Sequence, residues 1–381
     1  MKLGKITLTP PISAVSAFFM SVFVGGSLFG KTIYVAEDGN DTTGDGSFEN
    51  PYLTPSNGIA QAYADETVDT VFLRVGTYSI GTVLTLDKPL TLKGEDRDTT
   101  IIKQTATDNV NSSRVVSLTS EGVCVESLWL RDGHAKNGGG CVYMTAGVVS
   151  NCVVSHGVSY AGRSGSKGSN VYMTGGLITH SIVRDSKEVT YGTSGGGIAV
   201  MGPDVTIDTC LVRNNLGYQS WAYDADCCGG GIYLGNYTGI VVQNCTVVNN
   251  KAGYGGGIYG FGSEVTAYLK SSLFYQNRAD VSGDDYYISW KSFENCLFSD
   301  SEWRSPDGSG TSNAPYRIKS VRDMIYLERY SDENETATLE IATDNVFWGV
   351  PLTKFNGRIN GIGRTLYVSN CDNADDLTVA K

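Results

Sequence analysis

Histidine is scarce: three in 381 residues. There is no Cys-x-x-Cys pair either, so a zinc site of the usual spacing has nothing to build on. A basic surplus is missing too. Lys and Arg number 29 against 40 Asp and Glu, a net charge of −11. That balance argues against nucleic acid and anionic membrane surfaces as partners, while leaving room for a local basic groove. The 47 glycines follow no Gly-X-Y period, which excludes collagen and favours turn-rich β structure. Nine cysteines are an odd number, so they cannot all pair within one chain.

What the sequence does contain is a repeat. Anchors at Leu128, Cys152, Ser181, Cys210, Cys245, Ser272 and Cys296 are separated by 24, 29, 29, 35, 27 and 24 residues. A helical solenoid holds its period, whereas a β-solenoid varies its loops between fixed strands. The repeated segments are short, β-branched or aromatic, and bounded by Gly, Asn, Asp and Ser, which is strand chemistry. Positions two apart share a strand face. The small anchor row and the larger row of Leu130, Val154, Val183, Val212, Val247, Phe274 and Phe298 therefore line one interior, coil stacked on coil about 4.8 Å apart. On this reading the anchor cysteines are small buried hydrophobes.

Asn215, Asn250 and Asn277 stand five residues after their anchors, where the chain must turn. Such amides bond turn backbone and, stacked, each other. Gly triplets at 138–140, 195–197, 229–231 and 255–257 serve another corner. One residue after each anchor lies an outward, mostly apolar row (Trp129, Val153, Ile182, Leu211, Leu273, Leu297). It requires a cover from loops, the C-terminal segment or a partner.

In chain order, residues 1–30 read as a secretory signal, with Lys2 and Lys5 ahead of an apolar core; an uncleaved anchor is the alternative. Residues 31–67 read as an N-terminal cap with a strand at Thr32–Ala36, an acidic turn and a short helix over 56–65. Residues 68–305 are the solenoid. Residues 306–381 are a C-terminal cap or a small appended module.

The pairing of Gly-Gly-Ile with hydrophobic-x-x-Asn carries a resemblance. Gly230-Gly231-Ile232 with Val247…Asn250, and Gly256-Gly257-Ile258 with Phe274…Asn277, are similar to the repeats of bacterial polymorphic outer-membrane proteins. More broadly, residues 31–301 resemble the right-handed parallel β-helix proteins of the pectin-lyase-like superfamily. The fold this implies is an all-β right-handed parallel β-helix. The function it implies is a secreted or cell-surface scaffold for adhesion or for binding a polysaccharide or host glycan. The mature chain is then not inserted in a membrane. The alternative is a polysaccharide lyase or glycoside hydrolase acting on uronic-acid polymers.

Candidate chemistry follows the outward face. Arg131, Arg184 and Arg213 stand three after their anchors, with Asp132, His156, Asp185 and Lys187 beside them. Arginine binds carboxylate in a fork, and a lyase needs a base next to a neutralised carboxylate. Arg184, Arg213 and Lys187 are the candidates for catalysis, and Arg131, His156 and Asp185 for binding. Tyr218, Trp221 and Tyr223, in the insertion 216–228, are a candidate sugar-stacking platform. Calcium is the one cofactor with candidate ligands: Asp38, Asn40, Asp41 and Asp45 supply oxygens, without EF-hand spacing. The Arg-x-Pro-x-x-Arg element of pectate lyases is absent. Arg317-Ile318-Lys319 and Asp284-Asp285 match fragments of the polygalacturonase pattern, whose Asn-Thr-Asp and Gly-His-Gly elements are missing.

Overall fold

A computed structural model describes residues 30–106, 113–160, 166–187, 193–217, 227–260, 262, 267–289, 293–299, 306–319, 323, 326–327, 336–342, 346–348, 358–360 and 366–368. Residues 1–29 of the segment read as a secretory signal, and the aromatic insertion residues Tyr218, Trp221 and Tyr223, lie outside this set. Among the described residues no helix is long and apolar enough to cross a membrane.

The expected right-handed parallel β-helix is present. Three parallel sheets of ten, eight and eight strands run the length of the solenoid. One coil shows the plan. Val148–Ser150 lies on the first face, Val153–Ser155 on the second, and Val171–Met173 on the third. Each pairs in register with its equivalents in the coils before and after. The N-terminal segment is part of this plan, since Lys31–Val35 pairs with Val68–Leu73 as the end strand of the first face. The helix Pro55–Ala64 is capped by Thr54 and buries Ile59 and Ala62 over the solenoid's open end.

The two interior rows are where the sequence puts them. Leu128, Cys152, Ser181, Cys210, Cys245 and Ser272 are at most 1% exposed, as is the row from Leu130 to Phe274. The anchor row also does polar work at the corner between the first two faces. The Cys152, Cys210 and Cys245 thiols donate to the carbonyls of Ser150, Asp208 and Gln243 at 3.2, 3.2 and 3.0 Å. Ser181 and Ser272 do the same to Thr179 and Lys270. A small side chain with one donor satisfies a buried carbonyl where a bulkier residue would not fit. Burial pushes the Cys152 thiol up to about 12.

Each second-face strand from the coil of Leu128 onward is bracketed by non-glycine residues in the left-handed region. Ser127, Asn151, His180, Thr209, Asn244 and Ser271 precede it; Asp132, His156, Asp185, Asn214, Asn249 and Gln276 follow it. Most are Asn, Asp or His, the side chains that tolerate this conformation best.

Inside the second of these corners runs a buried amide ladder. The Asn170 amide donates to Asn215 at 3.0 Å, Asn215 to Asn250 at 3.1 Å, Asn250 to Asn277 at 3.0 Å, and Asn277 to the Asp285 carboxylate at 3.0 Å. The second amide hydrogens go to the carbonyls of Arg184, Val183, Val212 and Val247. Asn170 and Asp285 join from the position that third-place glycines such as Gly257 hold in other coils.

The outward apolar row is covered within the chain. Val153, Ile182, Leu211, Val248 and Leu273 form one buried cluster with Ile318, Leu327, Ala337 and Leu339 of the C-terminal segment. That segment carries parallel strands of its own, at Tyr316–Ile318, Thr338–Ile341 and Arg358–Asn360.

Replacing Asn250 by Ala removes the side-chain donor to the Val212 carbonyl and leaves the Asn215 backbone and amide donors without their acceptor in the interior, while the Asn277 oxygen keeps only the Asn250 backbone N–H. We expect a loss of about 3 kcal/mol, since each unsatisfied buried group costs roughly 1–3 kcal/mol; urea unfolding measures it. Asp285 sets a pH dependence. Burial raises its carboxyl above the ordinary range despite hydrogen bonds from Ser299 and Asn277. Stability from this group is therefore complete below about pH 4, the unfolded value, and is lost as pH rises through the folded one. The unfolding free energies of wild type and Asp285→Asn should diverge between acid and neutral pH, the wild type losing ground. Parallel curves would contradict this.

Candidate functional site

Where the second face turns out toward the loops, three consecutive coils gather charged side chains. Arg131, Ser155 and Arg184 are register partners, with Arg213 on the next coil. Their successors Asp132, His156 and Asp185 sit at the left-handed corner, so the backbone throws these side chains outward beside the arginines. Lys187 arrives from the loop after the third coil.

Trp129 organises the cluster. Its indole N–H donates to Ser155 Oγ at 2.8 Å, across one coil. The Arg131 and Arg184 guanidiniums lie 5.0 and 5.3 Å from the ring centre, one from its own coil and one from two coils on. Cation–π contact holds both arginines against a fixed plane. Asp132 bridges Arg131 at 2.8 Å and Lys187 at 2.7 Å. Asp185 pairs with Arg184 at 3.1 Å and accepts from the Asn214 amide at 3.2 Å. Partial burial works against the Asp132 charge, but Lys187 and Arg131 together hold its carboxyl below the usual range. Three cations against two carboxylates leave a local surplus of positive charge on an acidic chain.

Both histidines here are shifted toward the neutral form. Burial, reinforced by Arg131, lowers the His156 midpoint. Burial and Lys187 do the same to His134, whose Nδ1 is buried with no hydrogen-bond partner among the described residues. His156 Nδ1 lies 2.8 Å from Ser155 Oγ. Ser155 is fully buried and already accepts from Trp129, so this Ser–His pair orients the imidazole and offers no accessible nucleophile.

The structure thus brings together Arg131, His156, Arg184, Asp185 and Lys187. Arg213 is set apart: it shares the row but is 1% exposed, so a polymer passing over this surface does not reach it. Trp129, His134 and Ser155 were not singled out as site residues in the sequence. Trp129 reads there as one more member of the apolar row, and its adjacency to two arginines depends on register. Three of the four calcium candidates in the acidic N-terminal turn spend oxygens on the turn itself. Asn40 accepts from the Thr42 and Thr43 amides, Asp41 from Leu53 and Thr54, and Asp45 from Ser47. Among the described residues no three His, Cys, Asp or Glu side chains are gathered as a metal site. The polygalacturonase-like fragments are dispersed: Asp285 ends the buried ladder, and Lys319 is paired with Asp307.

The family model described as "Right handed beta helix region" matches residues 107–300. No curated protein matches the chain. Among solved structures, the chain is similar to a pectate lyase at 15% identity, over 74% of this chain and 84% of that one, with a TM-score of 0.44. It is similar to a pectin methylesterase from Erwinia chrysanthemi at 12% identity, over 67% and 80%, with a TM-score of 0.41. The Dettilon tailspike protein is 10% identical, over 88% of this chain and 60% of its own, with a TM-score of 0.43.

Proton titration by NMR checks the electrostatics of this corner. His134 and His156 should show midpoints below the ordinary value of about 6.5. Arg131→Gln should raise the His156 midpoint toward that value by removing a neighbouring cation.

Proposed function

The chain belongs to the right-handed β-helix family, and from that premise we propose that it is a secreted or cell-surface scaffold that binds an acidic polysaccharide. The observation that carries this reading is the Arg131–Trp129–Arg184 arrangement with Lys187 at its edge. Two guanidiniums held at fixed separation by an indole present donors to carboxylates spaced along a chain. A pre-ordered site of this kind loses little side-chain freedom on binding, which favours affinity. The rest of the molecule supplies a rigid, repetitive support, the setting in which a site holds its geometry.

A second reading, a lyase acting on uronic-acid polymers, is favoured by one observation: neutral His156 stands beside the two arginines. An unprotonated imidazole takes a proton from carbon next to a carboxylate whose charge the arginines neutralise. The arginines, each paired to a carboxylate, serve as donors in this reading and the imidazole as the base.

The test is calorimetric titration with polygalacturonate, alongside a neutral glucan as control. Wild type should bind the acidic polymer alone. Arg184→Ala should weaken binding by about tenfold to a hundredfold, the loss of one charge-assisted contact at roughly 1.5–3 kcal/mol. Equal affinity for the neutral glucan, or an unchanged Arg184→Ala, overturns the binding reading. Ultraviolet absorbance of unsaturated product, abolished in His156→Gln, would establish the lyase instead.

A further inference from the structure

The outward row that holds Arg131, Ser155, Arg184 and Arg213 does not begin at Arg131. One coil earlier Lys103 is the register partner of Arg131, and one coil earlier again Ser79 is the partner of Lys103. The strand Thr100–Gln104 alternates: Thr100, Ile102 and Gln104 are buried and Lys103 is exposed. The Lys103 side chain therefore stands on the outer surface, in line with the arginines. Cations occupy four of five consecutive coils in this row, at Lys103, Arg131, Arg184 and Arg213, with Ser155 between the second and third.

Cations side by side do nothing for the sheet itself, since like charges one rung apart repel. The first face sets opposite charges together. Lys93 is the register partner of Glu126 and Lys270 of Glu294, at ion-pair distances of 3.2 and 3.6 Å. Beside the loops, Lys251 does neighbour Arg278, and there Asp280 bridges both at 3.1 and 3.6 Å. On the second face Lys103 stands beside Arg131, and Arg184 beside Arg213. A row of one sign along a single face suits an extended polyanion laid across it.

The row is open at one end and closed at the other. Thr77, Ser79 and Lys103 are exposed, and Ile101 is half-buried. Toward the C-terminus, Leu211 and Val248 lie in the cluster covered by Ile318, Leu327, Ala337 and Leu339. Arg213 shares the strand of Leu211 and is the register partner of Val248, so it belongs to the covered part. A ligand held at Arg184 thus meets the cover on one side and an exposed cationic surface on the other.

We propose that Lys103 is a further binding residue of the corner site, and that the acidic polysaccharide lies along the solenoid axis from Arg184 across Arg131 to Lys103, stopped at its other end by the C-terminal cover. This rests on the acidic-polysaccharide reading above and adds to it an axis, a direction and a length. Arg184 and Lys103 are three rungs apart, about 14 Å at about 4.8 Å each. One sugar unit of an extended polyuronate is about as long as one rung, so about three units span the two arginines and a fourth reaches Lys103.

The test is calorimetric titration of the full chain with oligogalacturonates of graded length, from the trimer to the hexamer. Wild-type affinity should step up between trimer and tetramer. Lys103→Gln should leave the trimer unchanged and weaken the tetramer and hexamer by about threefold to tenfold, the loss of one exposed charge-assisted contact. Lys103→Arg should keep the step. Ser79→Lys, one coil further out, should add affinity for the pentamer and hexamer alone. A Lys103→Gln protein that loses nothing at any length, or loses equally at every length, overturns the axial arrangement and leaves the corner site standing. A matching loss with Lys270→Gln, on the first face, overturns it in favour of diffuse attraction. A wild type that binds no oligomer overturns this proposal and the reading beneath it together.

Discussion

A buried amide cannot be left without partners, and five coils of this solenoid are fixed to one another by that constraint. Each ladder side chain spends its oxygen on the neighbouring coil's backbone or amide and its hydrogens on a carbonyl and the next rung. The result is a turn whose position cannot drift, because a shift of one residue would strand several donors at once. Loops between the second and third faces can then differ in length while the strands on both sides stay in register. The intervals of 24 to 35 residues between anchors are the visible consequence.

The same corner explains why the charged cluster is where it is. Asp132, His156 and Asp185 occupy a left-handed backbone position that recurs in the coils from Leu128 to Ser272. The fold asks there for Asn, Asp or His, and those are also the side chains that pair with arginine or accept a proton. Structure and candidate function thus draw on one set of positions. The thiol row at the opposite corner shows the contrasting case, a position recruited for carbonyl satisfaction alone.

Much of this was legible in the sequence because the repeat reports on itself. The interior rows, the asparagine turn, the outward apolar row and the need for its cover all follow from aligning coils on one anchor. Asn170 and Asp285 were not legible as ladder members, because they enter from the glycine-triplet position and fall out of phase with the anchor. The stacked third-face tyrosines, Tyr143 on Tyr172 and Tyr233 on Tyr259 on Tyr287, are hidden for a related reason: the anchor alignment scatters the third-face strands among loops. The burial of Arg213 was beyond a periodicity argument too, since every outward position looks alike until its cover is known.

The ladder also has a direction. Every rung donates its amide toward the C-terminal end, so the aligned dipoles leave their positive end there, against the Asp285 carboxyl. A polar row closed by an acceptor has a start and a stop. Asp285 accepts on both oxygens, from Asn277 and from the Ser299 backbone, and has no amide to pass to another rung. Coils inserted within the row would lengthen it without altering its chemistry, whereas coils appended after it would need to begin a new one. The length of the solenoid is in this sense written as a punctuation mark, one carboxylate in place of an amide.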